Sequence, residues 1–480
     1  MRRSGVQAVV VETAAPRRMR VASLAGGLAL LLGVACGGPA DGEATSPRDG
    51  AAAEAEPETT PAVECPAEPI DVERAPGTRD EHRNVEFWLG KLAPEQADEV
   101  LVPAAAIPGL NTRFSEVEGA WHDPLDPALS DPAEIAEDLE ERMAWIKGRV
   151  DDGRYVEGQP GSLAQAEQIT RDAQPVDELR MVVEEASVWC VALDDGLYKK
   201  PIDLDFDRNR CASLHPGEII RVLRRSADDS WVYVHSGHTT GWLHAPTLTP
   251  TLPGEHLSQL LEGPRLVPTD DDQRTEGGRR LRLGTSVPIV GRDGDTRRIL
   301  VPTPTGLVED TVTLSSGASE GALPLTRRNA WSLALSEQDT PYGWGGRAGH
   351  RDCSRLMRDV MSTFGLQLAR HSGVQGKLGT DNIDVSELSE EGKKKALRAA
   401  AQRGVVLLYM PGHIMMYLGE DDGQQYAVSA ISEYLVPCEG GEDTVYRPGR
   451  VAVTTLELGR GSERTAYIER LTKLVVFAPG

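Results

Sequence analysis

A cluster of glycines constrains this chain more than any other feature. Tyr342-Gly343-Trp344-Gly345-Gly346 runs into Asp352-Cys353-Ser354, and Gly412-His413 follows some sixty residues after the cysteine. Residues 353–364 repeat Leu356, Met357, Val360, Met361 and Phe364 at helical spacing, so a tight turn opens a helix with one apolar face. Asp352 is the predicted N-cap, with His350 as the alternative. Cys353 then falls in the first turn, where unpaired N–H groups and the helix dipole favour a thiolate. The same N–H groups can stabilise a tetrahedral oxyanion. The competing reading makes Cys353 a small buried hydrophobe. The glycine-rich entry and the polar flanks Asp352 and Ser354 argue against it.

His413 supplies the second half of the pattern. Val405 to Tyr409 reads as a buried strand ending at Pro411-Gly412, and His413 to Leu418 reads as the next, with His413, Met415 and Tyr417 on one face. A turn over Gly419–Gly423 returns the chain through Gln424 to Ile431. If Gly419 pairs with Gly423, His413 lies opposite Ser429, and the two side chains are neighbours. A cysteine paired with a histidine is what a thiol hydrolase needs, and Ser429 is placed to orient the imidazole. The bland alternative is a strand-end histidine bonded to backbone.

These residues resemble the NlpC-type cysteine peptidases, bacterial enzymes of papain-like fold that cut cell-wall peptides. The resemblance rests on YGWGG, DCS, GHIMMYLG and LARHSGVQ. FWLGKL with IPGLN, and SWVYVHSGHTTGWL at 230–243, resemble a subgroup with an N-terminal helical domain and two bacterial SH3-like domains ahead of the catalytic one. It implies Cys353 as nucleophile and His413 as general base. Ser429 stands where the family usually carries histidine, asparagine or glutamine, a departure that leaves the imidazole with a short, uncharged partner. It further implies that Tyr342, Asp352 and Ser354 contact the peptide's amino end and the D-glutamyl carboxylate.

Residues 21–35 are uncharged and mostly apolar, behind Arg17, Arg18 and Arg20. Such a stretch is too short to span a membrane comfortably and suits a signal-peptide core. Cys36 after Gly33-Val34-Ala35 resembles a lipoprotein processing box, so lipidation of Cys36, a membrane anchor and an envelope location are expected, with ordinary cleavage as the alternative. Gly37 to Glu64 reads as a disordered tether of about 30 Å reach. Cys65, Cys190, Cys211 and Cys438 then allow three pairings, of which Cys190–Cys211 within one small barrel is expected first; the alternative is four reduced thiols. Nothing in the cysteine and histidine spacing suggests a metal, and no cofactor is expected.

The net charge is −23, and the first 36 residues carry five arginines and one glutamate, or +4, leaving −27 after them. A balance this acidic argues against nucleic acid as a partner. The charge run Glu137 to Arg142 reads as a solvated helix face, behind a cap at Ser130-Asp131-Pro132 and above a stripe of Ile135, Leu139, Met143 and Ile146. Trp231, Tyr233 and Trp242 read as barrel core, or alternatively as a stacking surface for ligand. The expected fold class is α+β. Its order is signal peptide and lipobox at 1–36, disordered linker at 37–74, helical domain at 75–178, SH3-like barrels at 180–250 and 251–325, and a papain-like peptidase domain at 326–480.

The expected function is hydrolysis of peptidoglycan stem peptides at a γ-D-glutamyl–L-diamino acid bond. Two other readings stay open: a catalytically silent binder of wall peptides on the same fold, and an acyl-transfer enzyme using the same thiol.

Overall fold

The computed structural model describes residues 65–314 and 317–479. The export segment, Cys36 and the tether before Cys65 lie outside the described residues. Among the described residues, no helix is long and apolar enough to cross a membrane.

The helical segment builds no core of its own. Helices α1 (Val85–Leu89) and α2 (Ile107–Ser115) put Trp88, Leu89, Leu110 and Phe114 into one apolar cluster with Trp331, Leu356, Met361 and Val428 of the C-terminal unit. Helix α3 (Pro132–Asp151) starts as predicted: Asp131 accepts from the N–H groups of Ala133 and Glu134 at 2.8 and 3.2 Å, with Pro132 in the first turn. Its stripe of Ile135, Leu139, Met143 and Ile146 is buried. The charge run behaves differently from a solvated face, because α3 lies against the first barrel. Arg142 is buried, and it pairs with Asp138, whose carboxylate also receives the Tyr233 hydroxyl. Helix α4 (Ser162–Asp172) follows and adds Leu163 and Ala166 to the cluster around Met143 and Ile146.

Six strands make the first barrel: β1 (Gln174–Met181), β2 (Ala186–Trp189), β3 (Arg210–Leu214), β4 (Ile219–Arg225), β5 (Trp231–His235) and β6 (Thr240–His244). They are antiparallel in the order β1-β4-β5-β6-β2-β3. Strand alternation sorts the side chains. Val232, Val234 and Leu243 join Val188, Leu214 and Val222 in the interior. Trp231, Tyr233 and Trp242 fall on the opposite face and are buried against Ile135 and Leu139. They are therefore neither barrel core nor a ligand platform; α3 covers them. Cys190 and Cys211 form the expected disulfide, Cα–Cα 5.3 Å, and Cys65 pairs with Cys438 at 6.0 Å.

After α5 (Gly254–Glu262), five strands form a second small sheet: β7 (Arg265–Pro268), β8 (Val287–Asp293), β9 (Thr296–Thr303), β10 (Gly306–Thr313) and β11 (Ala318–Glu320), in the order β10-β9-β8-β7-β11. Leu266, Val287, Ile289, Ile299, Val301 and Val312 are its core.

The C-terminal unit begins with α6 (Arg327–Ser336), α7 (Cys353–Ser362) and α8 (Ser372–Gln375), then β12 (Asp381–Asp384) and α9 (Glu390–Arg403). Strands β13 (Val405–Met410), β14 (His413–Asp421), β15 (Gln424–Ile431) and β16 (Arg450–Thr455), helix α10 (Tyr467–Arg470) and β17 (Lys473–Phe477) complete it. The sheet order is β12-β17-β13-β14-β15-β16. Both faces are covered. Leu356, Met357, Val360 and Met361 of α7 pack with Leu407, Ile414 and Met416 on one side; Leu397 and Ala400 of α9 pack with Val406, Leu408 and Met415 on the other. Burial on both faces explains why β13 reads as an unbroken apolar run.

The β14–β15 hairpin is tighter than the sequence suggests. Asp421 pairs with Gln424, so the turn is Asp422-Gly423, with φ of 48° and 77°. Positive φ at both central residues is what a two-residue hairpin turn requires. A register shift between Tyr417 and Gly419 absorbs Leu418. Counting on from the Met416–Val428 pair, Ser429 stands opposite Met415, one diagonal step from His413, rather than opposite His413 itself.

Candidate active site

The glycine-rich turn is shaped by the barrel it touches. Gly345 and Gly346 have φ of 59° and 84°. A Cβ at Gly346 would lie 1.6 Å from Ser213 Oγ, and one at Gly345 would lie 2.7 Å from the Arg210 carbonyl oxygen. Only glycine allows β3 to come this close at this backbone conformation. The turn thus fixes both the entry to α7 and the seat of the first barrel.

Asp352 caps α7 by accepting from the Arg355 N–H at 2.9 Å. It also accepts from the Gly345 N–H at 3.2 Å, the Ser354 hydroxyl at 3.1 Å and the Arg370 guanidinium. Burial pushes its carboxyl up, but the Arg370 charge and these hydrogen bonds outweigh burial and hold it below the usual range. Ser354 Oγ accepts from Arg370 at 2.6 Å, and Gln375 donates to the Ser354 carbonyl at 2.8 Å. Asp352 and Ser354 are fully buried, and Tyr342 is half-buried. Burial drives the Tyr342 phenol well above its usual pKa, so the ring stays neutral.

Cys353 takes the first position of α7, as the periodicity predicts. It is fully buried and disulfide-bonded. The species that could attack a carbonyl is therefore its reduced form. Burial opposes ionisation of a thiol, whereas a helix N-terminus favours it.

His413 opens β14 and is 7% exposed. Its Nε2 lies 3.0 Å from Ser429 Oγ. Burial is the main influence on the ring, with Arg470 adding to it and Asp352 opposing, and the pKa is pushed down to about 3. The imidazole is thus uncharged at neutral pH. In the tautomer whose Nε2–H donates to Ser429, the Nδ1 lone pair can take a proton. Asp352, the neighbour of Cys353, is close enough for its charge to reach this ring. The sequence therefore places Ser429 next to His413 correctly, although by a diagonal rather than a direct cross-strand contact.

A depressed histidine pKa also has a thermodynamic sign. Between about pH 6.5 and 3 the unfolded chain binds a proton at His413 that the folded chain does not, so stability rises with pH across that window. Replacing His413 by Gln is expected to flatten the fall in urea midpoint between pH 6.5 and 4; an unchanged slope would assign the acid sensitivity elsewhere.

Sequence periodicity missed the polar side of α7. Arg355 and Asp359 are buried and engage the first barrel, and through Arg351 the segment of the second sheet. Arg355 reaches Ser213, His215 and, at 2.6 Å, Glu185. Asp359 meets His215 at 3.0 Å and Arg351 at 2.8 Å. Arg351 in turn pairs with Glu337 at 2.5 Å and with Asp271 at 2.7 Å. Arg370 was likewise unforeseen as the partner of Asp352. The first barrel also brings Phe206 within 5.6 Å of the Trp344 ring and 6.3 Å of Tyr342.

Residues 339–432 match the NlpC/P60 family, and residues 197–244 match an SH3 domain of the SH3b1 type. The chain thus carries an NlpC/P60 domain of papain-like fold behind an SH3b1-type barrel, within a mixed α+β architecture. That family is one of cysteine peptidases. Among solved structures, the chain is similar to a novel NlpC/P60 endopeptidase from Photobacterium damselae subsp. piscicida, with 16% identity and a TM-score of 0.67 over 86% of this chain and 100% of that one. It is also similar to an NlpC/P60 family protein from Bacillus cereus, with 16% identity and a TM-score of 0.43 over 63% of this chain and 100% of that one. The first likeness is one of fold, and the second is too distant to carry an argument. No curated protein matches.

Proposed function

We propose that the protein is an exported cysteine endopeptidase that hydrolyses peptidoglycan stem peptides at the γ-D-glutamyl–L-diamino acid bond, held at the membrane by a lipid on Cys36. The observation that carries this reading is a helix-tip cysteine, capped by Asp352, on a helix that packs against the strand opened by a neutral histidine whose Nε2 is held by Ser429. Cys353 in its reduced form gives its proton to His413, and Sγ bonds to the carbonyl carbon. N–H groups of the first turn of α7 stabilise the oxyanion. The C–N bond breaks as His413 returns the proton to the leaving amine, and water then hydrolyses the thioester. No metal or cofactor enters the scheme. Tyr342, Asp352 and Ser354 line the acyl side, with the latter two acting through the Arg370 network.

The test is incubation of the reduced protein with L-Ala-γ-D-Glu-diaminopimelate, read by mass spectrometry with and without an amine acceptor. Release of L-Ala-γ-D-Glu unaffected by the amine supports hydrolysis; an amine adduct as main product would replace it with acyl transfer. Ser429→Ala is expected to lower kcat about tenfold, the worth of one neutral hydrogen bond. An unchanged kcat would remove Ser429 from the machinery.

A second reading is favoured by one observation: Cys353 is fully buried and already bonded through its sulfur. On that reading the domain binds wall peptides without cutting them. It predicts saturable binding and no product even under thiol reductant.

A further inference from the structure

Most charged groups around the glycine-rich turn have an ionic partner; among the described residues Arg208 and Arg210 do not, and Arg210 donates instead to the Ser187 hydroxyl. Arg447 pairs with Asp203 at 2.7 Å and with Glu433 at 3.3 Å, and Arg464 meets Glu433 at 3.5 Å. Arg347 pairs with Asp205, and Arg370 with Asp352. Arg208, on the loop that runs into β3, makes no ion pair among the described residues. Its Nε and Nη1 are buried and have no acceptor. Its guanidinium lies 4.3 Å from the centre of the Trp344 ring, a cation–π stack on the turn that leads to Cys353. The guanidinium also approaches the Phe206 ring at 5.7 Å, and that ring lies 6.3 Å from Tyr342, the residue proposed above for the acyl side. The nearby carboxylates Asp203 and Glu433 are engaged by Arg447, so neither of them bonds to the Arg208 guanidinium.

A guanidinium fixed by stacking, with unpaired donors, fits a carboxylate by two parallel hydrogen bonds. The peptide proposed above carries one in the right residue: its glutamyl unit joins the next residue through the γ-carbonyl and leaves the α-carboxylate free. We propose that Arg208 is the specificity residue that reads this α-carboxylate, so that the first barrel, rather than the papain-like domain alone, selects the acidic over the amidated peptide. This inference rests on the hydrolase reading for its substrate, but not on turnover.

Binding is therefore measured by calorimetry with Cys353→Ala, which removes chemistry. The ligands are L-Ala-γ-D-Glu-diaminopimelate and the same peptide with the glutamyl α-carboxylate as carboxamide. The acid is expected to bind at least about tenfold more tightly, as loss of a charge-assisted hydrogen bond implies. Arg208→Gln, made on that background, is expected to weaken the acid alone and bring the two affinities together; Arg208→Lys is expected to keep part of the preference. Equal affinities in the parent, equal weakening of both peptides in Arg208→Gln or, should that variant not fold, full preference retained in Arg208→Lys would overturn the proposal, as would absence of binding. If the preference holds while the reduced wild type releases no product, the hydrolase reading fails and Arg208 keeps its role.

Discussion

Cys353→Ala is expected to lower cleavage of the wall peptide by on the order of 10⁴-fold or more in kcat, the scale on which removing the nucleophile of a catalytic unit acts. The loss should fall on kcat and leave folding intact. Cys353 is fully buried in an apolar cluster with Leu356, Met357 and Ile414; alanine keeps the apolar character of that position and removes the sulfur together with its disulfide, which the reductant in the assay opens in the wild type as well. Cys353→Ser is expected to be nearly as inactive, because His413, with its low basicity, is a poor base for a hydroxyl. The measurement is a progress curve under thiol reductant, with thermal unfolding as control. Cleavage at the wild-type rate by Cys353→Ala would move the chemistry to another residue.

The second large effect concerns stability. Asp359 is fully buried and stands between two arginines and a histidine: Arg351 at 2.8 Å, Arg358 at 3.4 Å and His215 at 3.0 Å. Burial pushes its carboxyl up, but His215 and these arginines more than offset that and hold it well below the carboxylate range. Asp359→Ala leaves several buried positive charges without their common counterion. Breaking a buried pair in this way costs about 3–5 kcal/mol. The loss is expected in chemical unfolding at neutral pH, together with a weakened seat for the first barrel and the second sheet, since His215 belongs to the first and Asp271 precedes β8 of the second. A destabilisation below about 1 kcal/mol would mean that the network is solvated and contributes little.

Much of the site was legible because it is local. The cap at Asp352, the apolar stripe of α7, the strand opened by His413 and the first-turn position of Cys353 all follow from spacing within a dozen residues. The Cys190–Cys211 bridge, at a separation of 21 residues, was legible because both cysteines fall within one small barrel. What escaped the sequence depends on long-range neighbours. Arg355 and Asp359 sit on the side of α7 that periodicity assigns to solvent, and they are buried only because His215, some 140 residues earlier, comes to meet them. Trp231, Tyr233 and Trp242 alternate out of the barrel interior, and only the approach of α3 covers them. The hairpin register failed by a small margin: Gly423 marks the turn, but the turn closes on Asp421 and Gln424, and the shift at Leu418 could not be read from alternation. Arg208 carries no periodic signal at all; that its Nε and Nη1 lack acceptors shows only in the packed structure.

The most direct measurement of the central claim is the pH dependence of Cys353 alkylation by iodoacetamide in the reduced protein, followed by peptide mass spectrometry. A thiol activated by the α7 N-terminus and His413 is expected to react with an apparent pKa well below the ordinary value of about 8.5, and His413→Ala is expected to raise it. A Cys353 that stays unmodified across that range, or titrates at about 8.5 or higher with and without His413, would contradict the account.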